Sequence, residues 1–156
     1  MLRIEISNDF TLLLEHLVLD YNGTLAIDGK LIDGVKEMIE TLSANLKVHV
    51  ITANTFGSAH QNLADTNTSL VIINSGNEAQ QKADFVNSLN PQAVVAIGNG
   101  ANDALMLKLS ALGIAVMQAE GVATQALMNA DIACNSIIDA LGLLLNPLRI
   151  AATLRV

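Results

Sequence analysis

Leu17-Val18-Leu19 runs directly into Asp20, and Tyr21-Asn22-Gly23-Thr24-Leu25 follows. Three aliphatic residues closed by an Asn-Gly turn signal read as a buried strand that stops abruptly. Such a strand delivers one carboxylate to the carboxyl edge of a sheet, where open α/β folds place their ligand crevices. A turn in which Asp20 only bonds its own backbone carries the same local signature. The two readings separate on what the rest of the chain brings to that edge.

The chain has the makings of one α/β domain, 1–156. At 51 % hydrophobic but 3 % aromatic, its core must be aliphatic, which suits helices packed on a Val/Ile/Leu sheet. A formal charge of −7 and a pI near 4.7 argue against nucleic acid or an anionic membrane as partner. Charged residues are only 15 % of the chain, which points to a homo-oligomeric face. Cys134 is single, so no internal disulfide is expected, and it sits in an apolar stretch as a structural thiol. No apolar run reaches the ~18 residues of a membrane span, and no signal peptide opens the sequence, so a cytoplasmic location is expected.

In chain order, Leu2 to Ile6 and Thr11 to Leu14 read as strands about a Ser7-Asn8-Asp9 turn, an N-terminal hairpin within residues 1–15. The core is expected over 16–145. Asp28-Gly29, between short apolar arms, predicts a small hairpin flap, and Val35 to Ser43 a helix. Lys47 to Thr52 is a second buried strand, ending in a hydroxyl, with Ala53-Asn54-Thr55-Phe56-Gly57 as the loop opening the next helix. Ser69 to Asn74 is a third strand, and a helix begins at Asn77. Val94 to Ile97 is a fourth strand, Gly113 to Val116 a fifth, and Ala130-Asp131-Ile132 introduces a sixth. Ile137 to Leu145 is a terminal helix stopped by Asn146-Pro147, leaving 146–156 as a tail. His16 and His49 read as structural.

Asp20-x-x-Gly23-Thr24-Leu25 after an apolar strand resembles the first motif of the haloacid dehalogenase (HAD) superfamily and the related phosphorylation motif of P-type ATPases. Thr52, ending its strand, matches the second motif. Lys82-Ala83, with Val86 following, is similar to the Lys-Ala-x-x-Val helix of P-type ATPases. Gly98-Asn99-Gly100-Ala101-Asn102-Asp103 resembles the fourth motif, Gly-Asp-Gly-x-Asn-Asp. On the residues alone, Lys82 could be a solvated helix lysine, and Asn102 or Asp103 a helix cap. Four motifs in order favour the resemblance, which spans roughly Leu17 to Leu145.

The resemblance implies a three-layer, Rossmann-like HAD fold, with a central, mainly parallel sheet, helices on both faces and no cap domain. It implies a Mg²⁺-assisted phosphatase acting through an aspartyl-phosphate on Asp20, with Asn22, Thr52 and Lys82 completing the catalytic set. Tyr21, Asn22, Thr52, Ala53 and Lys82 would hold the phosphoryl group. Asp20, Asn22, Asn99 and Asp103 would face the metal, and Asp103 could instead orient Lys82. Gly23, Thr24, Gly98, Gly100 and Asn102 would support the loops. The implied partner is a small phosphorylated substrate or a phosphoprotein.

Two positions depart from the family. Asn22 stands where most HAD phosphatases carry a proton-transferring aspartate, and Asn99 where they carry a metal-binding one. Weaker Mg²⁺ binding and slow hydrolysis are therefore expected, best with leaving groups that need no proton. A catalytically weak domain that binds phosphate or a phosphorylated ligand and acts through a partner is the rival reading.

Overall fold

The computed structural model describes residues 1–53 and 57–156. The expected loop segment Asn54-Thr55-Phe56 lies outside the described residues. Among those described, β1 (Leu2–Ser7) and β2 (Phe10–Leu14) form an antiparallel hairpin. A six-stranded parallel sheet follows, built from β3 (His16–Asp20), β6 (Lys47–Thr52), β7 (Thr68–Ile72), β8 (Val94–Gly98), β9 (Leu112–Val116) and β10 (Ile132–Cys134). Its spatial order is β10-β9-β8-β3-β6-β7. The chain steps outward from β3 through β6 to β7, then returns to the other side of β3 as β8. That reversal is a topological switch point, and Asp20 ends the strand at which it occurs.

Both faces of the sheet are covered, and the strand alternation shows it. Leu17 and Leu19 enter one apolar cluster with Val48, Val50, Val95 and Ile97, beneath α1 (Val35–Ser43), α2 (Ser58–Leu63) and α6 (Ile137–Leu145). Val18 enters the opposite cluster with Ile51, Val94 and Ala96, beneath α3 (Glu78–Ser88), α4 (Ala104–Leu109) and α5 (Thr124–Asn129). The inner strands are apolar on both faces because parallel strands are buried on both. The chain therefore has the three-layer, Rossmann-like architecture. His16 Nδ1 and His49 Nε2 share a 3.0 Å hydrogen bond, and His49 meets Phe85 edge-on, so both histidines take part in packing. Cys134 is buried.

The flap is a two-stranded hairpin, β4 (Ala26–Ile27) with β5 (Lys30–Leu31). Asp28 and Gly29 turn it at φ 50° and 75°, the left-handed backbone of a tight hairpin turn. This short hairpin is what stands between β3 and α1. Among the described residues no single helix is long and apolar enough to cross a membrane.

The C-terminus departs from expectation. Residues 146–156 are not a tail: α7 (Pro147–Leu154) begins at the proline that reads as a stop. Proline ends one helix and starts the next equally well, since a first-turn N–H has no intrahelical partner to lose. α7 turns 100° from α6 and packs on β1, with Ile150 fully buried and Leu148 exposed. Ile150→Ala should cost ~2–5 kcal/mol in urea unfolding, whereas Leu148→Ala should stay within ~0.5 kcal/mol. Equal effects would mean that α7 is not anchored through Ile150.

Candidate functional site

Asp20 lies at the carboxyl end of β3, only 7 % exposed. Its carboxylate is held from two sides. Lys82 Nζ donates to Oδ1 at 2.7 Å, and the Thr24 hydroxyl donates to Oδ2 at 3.0 Å. Lys82 reaches this point from the second turn of α3 and is itself 2 % exposed. It is therefore not a solvated helix lysine. Its ammonium also donates to Asp103 Oδ1 at 2.6 Å, so one cation is shared by two buried carboxylates.

Asp103 is completely buried and its other oxygen closes the β8–α4 loop, accepting from the N–H groups of Asn99 (3.0 Å) and Gly100 (2.8 Å). Both Asp103 oxygens are thus engaged within the protein, one by the Lys82 ammonium and the other by the loop N–H groups. Gly98 is needed for this packing: a Cβ there would lie 2.5 Å from the Asp103 carboxyl carbon. Gly23 is constrained likewise, with φ 80° and space for a Cβ only 2.5 Å from the Asn99 amide.

Asn99 is buried beneath the Gly23–Thr24 turn. Its Oδ1 accepts from the Thr24 hydroxyl at 3.2 Å, and its Nδ2 donates to the Gly121 carbonyl at 3.0 Å. Thr52 ends β6, neighbour of β3, at 2 % exposure. Its hydroxyl has no hydrogen-bond partner among the described residues. A buried hydroxyl without a partner is costly, and a ligand oxygen at this edge would satisfy it. Ala53 follows, half-buried.

Other sequence-predicted residues turn their side chains to other partners or to solvent. Asn22 is exposed in the turn. The Tyr21 side chain is buried, its phenol oxygen accepting from Asn62 Nδ2 at 2.7 Å. Only the Tyr21 main chain serves the turn, its carbonyl accepting from the N–H groups of Leu25 and Ala26. Asn102 is exposed on the short 3-10 turn Ala101–Asp103.

A residue not singled out from sequence is Gln118, just after β9. Its Nε2 donates to the carbonyls of Gly23 (2.9 Å) and Thr24 (2.6 Å). Nearby, Glu120 Oε1 accepts from the flap N–H of Asp28 at 2.9 Å. The signal that could have found them is positional, since every loop after a parallel strand opens on this same edge.

Burial pushes the Asp20 carboxyl up to about 7, and the charge of Asp103 adds to it; Lys82 and the Thr24 hydroxyl pull the other way. Burial alone would lower the Lys82 ammonium, but Asp20 and Asp103 outweigh it and hold it above its ordinary value. Asp20 Oδ2 and Asn99 Oδ1, oxygen donors of the kind a hard cation takes, both accept from the Thr24 hydroxyl. Among the described residues no three His, Cys, Asp or Glu side chains gather into a group that could hold a metal ion.

Residues 80–136 match the family model described as haloacid dehalogenase-like hydrolase. The chain is 48 % identical over 67 residues to the uncharacterized protein MJ0073 of Methanocaldococcus jannaschii, covering 42 % of this chain and 72 % of that one. Its fold is similar to that of 3-deoxy-D-manno-octulosonate 8-phosphate phosphatase from Moraxella catarrhalis, solved with magnesium and phosphate ions (TM-score 0.67, 15 % identity, 89 % of this chain and 92 % of that). It is also similar to part of a zinc-transporting PIB-type ATPase (TM-score 0.62, 26 % identity, 80 % of this chain and 20 % of that).

The Asp20 shift fixes a sign. Between about pH 4, where an unfolded aspartate ionises, and about 7, the folded chain binds the extra proton, so this group's contribution to stability falls as pH rises. Asp20→Asn removes that loss. Its Tm gain over wild type should be larger at about pH 8 than at about pH 5, at ~2–4 °C per kcal/mol. An equal gain at both would contradict burial as the cause.

Proposed function

Because the chain belongs to the haloacid dehalogenase superfamily, we propose that it is a phosphatase-type hydrolase working through an aspartyl-phosphate on Asp20. The observation that carries this reading is the buried Lys82 shared between Asp20 and Asp103 at 2.7 and 2.6 Å. A structural lysine gains little from such burial, since desolvating three charged groups is expensive. A phosphoryl group arriving beside Asp20 would meet that positive charge and the Thr52 hydroxyl.

In the first step an Asp20 carboxylate oxygen bonds to phosphorus while the bond to the leaving oxygen breaks, its electron pair departing with that oxygen. Lys82 offsets the charge on the transferring group, and Thr52 donates to one of its oxygens. Thr24 and Lys82 keep the carboxylate from rotating. In the second step water attacks phosphorus, the electron pair returns to Asp20, and the water proton passes to solvent. Asn22 can exchange no proton in either step. Asp20, the Asn22 carbonyl and Asn99 would hold Mg²⁺, which when bound favours the ionised form of Asp20 and offsets phosphoryl charge. Phosphoryl transfer depends mainly on positioning and charge, so a site lacking the usual acid remains competent for leaving groups that need none.

We place a small phosphorylated substrate or a phosphoprotein at the open edge beside the flap. A second reading, a phosphate-binding domain that turns over poorly, is favoured by Asn99, whose amide is committed to Thr24 and Gly121. Vanadate or beryllofluoride that raises Tm, in a protein without turnover on any substrate, would select it.

Phosphate release from acetyl phosphate and nitrophenyl phosphate with Mg²⁺ should be measurable in wild type and abolished by Asp20→Asn. Alkyl phosphates should be cleaved ~10²-fold more slowly or worse, and Asn22→Asp should recover part of that gap, general acid catalysis contributing ~10²–10⁴-fold. Alkyl phosphates cleaved as fast as nitrophenyl phosphate would sink the reading.

A further inference from the structure

The loop over residues 117–123, between β9 and α5, takes no part in the steps above, yet it touches three pieces of the site. Glu120 holds the flap through the Asp28 N–H. The Gly121 carbonyl and the Ala123 N–H hold Asn99 by side chain and main chain, at 3.0 and 2.8 Å. Gln118 holds the turn that follows Asp20, and does so with its whole amide. Nε2 donates to two consecutive carbonyls, Gly23 and Thr24, and Oε1 accepts from the N–H of Ile137, first residue of α6, at 2.8 Å. Two donors and one acceptor are satisfied at once, which only an amide of this length can do here.

Thr24 is the link to the chemistry. Its main chain is fixed by Gln118, and its hydroxyl donates to Asp20 Oδ2. Resting on the reading of Asp20 as nucleophile, we propose that Gln118 is a positioning residue for phosphoryl transfer. By fixing the Thr24 main chain it keeps the Thr24 hydroxyl on Asp20, so that the carboxylate stays clamped between Thr24 and Lys82 and presents one oxygen in line with the incoming phosphorus. A nucleophile free to rotate loses part of the orientation that makes such a step fast. Gln118 touches neither Asp20 nor the transferring group; it acts through Thr24.

Gln118→Glu isolates this role. It keeps the side-chain length and the acceptor for Ile137, but sets a carboxylate against the two carbonyls. Gln118→Met removes the donors without adding charge and serves as the second variant should the first not fold. The readout is the rate and amplitude of acid-stable phosphoenzyme formation from labelled acetyl phosphate with Mg²⁺, in wild type, both variants, Thr24→Val, the doubles and Asp20→Asn. Formation in the Gln118 variants should slow by ~10-fold or more, as lost orientation worth about 1.4 kcal/mol at the transition state would give, at unchanged amplitude. The acetyl phosphate concentration for half-maximal rate should stay within ~2-fold. In the Thr24→Val background the same substitutions should add less than ~2-fold, because residues acting as one unit are not additive.

Wild-type rates in both Gln118 variants, with label still lost in Asp20→Asn, would overturn the inference and leave the function standing. Full multiplicative effects in the double variants would overturn it too, since Gln118 would then act by another route. Wild type that forms no phosphoenzyme would overturn the function and this inference together.

Discussion

One ammonium between two buried carboxylates holds the functional edge together. Lys82 comes from α3, Asp20 from β3 and Asp103 from the loop leading into α4, so a single ammonium, through two charged contacts, ties three separate segments. The cluster sets two carboxylates against one ammonium, and burial, with the charge of Asp103 adding to it, pushes the Asp20 carboxyl upward despite its lysine. A group chosen for stability alone would be apolar at such depth. The same imbalance is what a phosphatase needs before its substrate and cation arrive, because added positive charge then turns a reluctant carboxylate into an available nucleophile.

The two asparagines alter this scheme in different ways. Asn22 is exposed, and its amide can exchange no proton near neutral pH. Asn99 is buried and changes the wiring: its carbonyl accepts from Thr24 and its amide donates to Gly121. An aspartate could keep the first bond but would set a charged oxygen against the Gly121 carbonyl. The neutral side chain at position 99 thus ties the β8 loop to the loop that carries Gln118 and Glu120.

What could be read from the sequence was what short-range chemistry dictates. Leu17-Val18-Leu19-Asp20 reads as a strand ending in a carboxylate, Asp28-Gly29 as a tight turn, and the Gly98–Asp103 stretch as a close backbone approach. Whether Asp20 serves a site or only its own turn is settled by what other segments bring to it. Lys82 was legible only through the family pattern, because nothing local says that a lysine on a polar helix reaches across to Asp20, 62 residues away in sequence. Gln118 and Glu120 escaped for a related reason: their partners lie 94 and 92 residues away, and an isolated Gln or Glu on a loop has no signature. The α7 helix is not legible because Asn-Pro after an apolar run signals a helix stop, while the same proline also opens the next helix.

The central claim is that Asp20 itself becomes phosphorylated, and peptide-resolved mass spectrometry after acid quench of the Mg²⁺ and acetyl phosphate reaction tests it most directly. The account predicts phosphate on the peptide carrying Asp20, absent from the Asp20→Asn protein. Phosphate release that proceeds in wild type with that peptide unmodified at every quench time, or modification of another side chain, would contradict it.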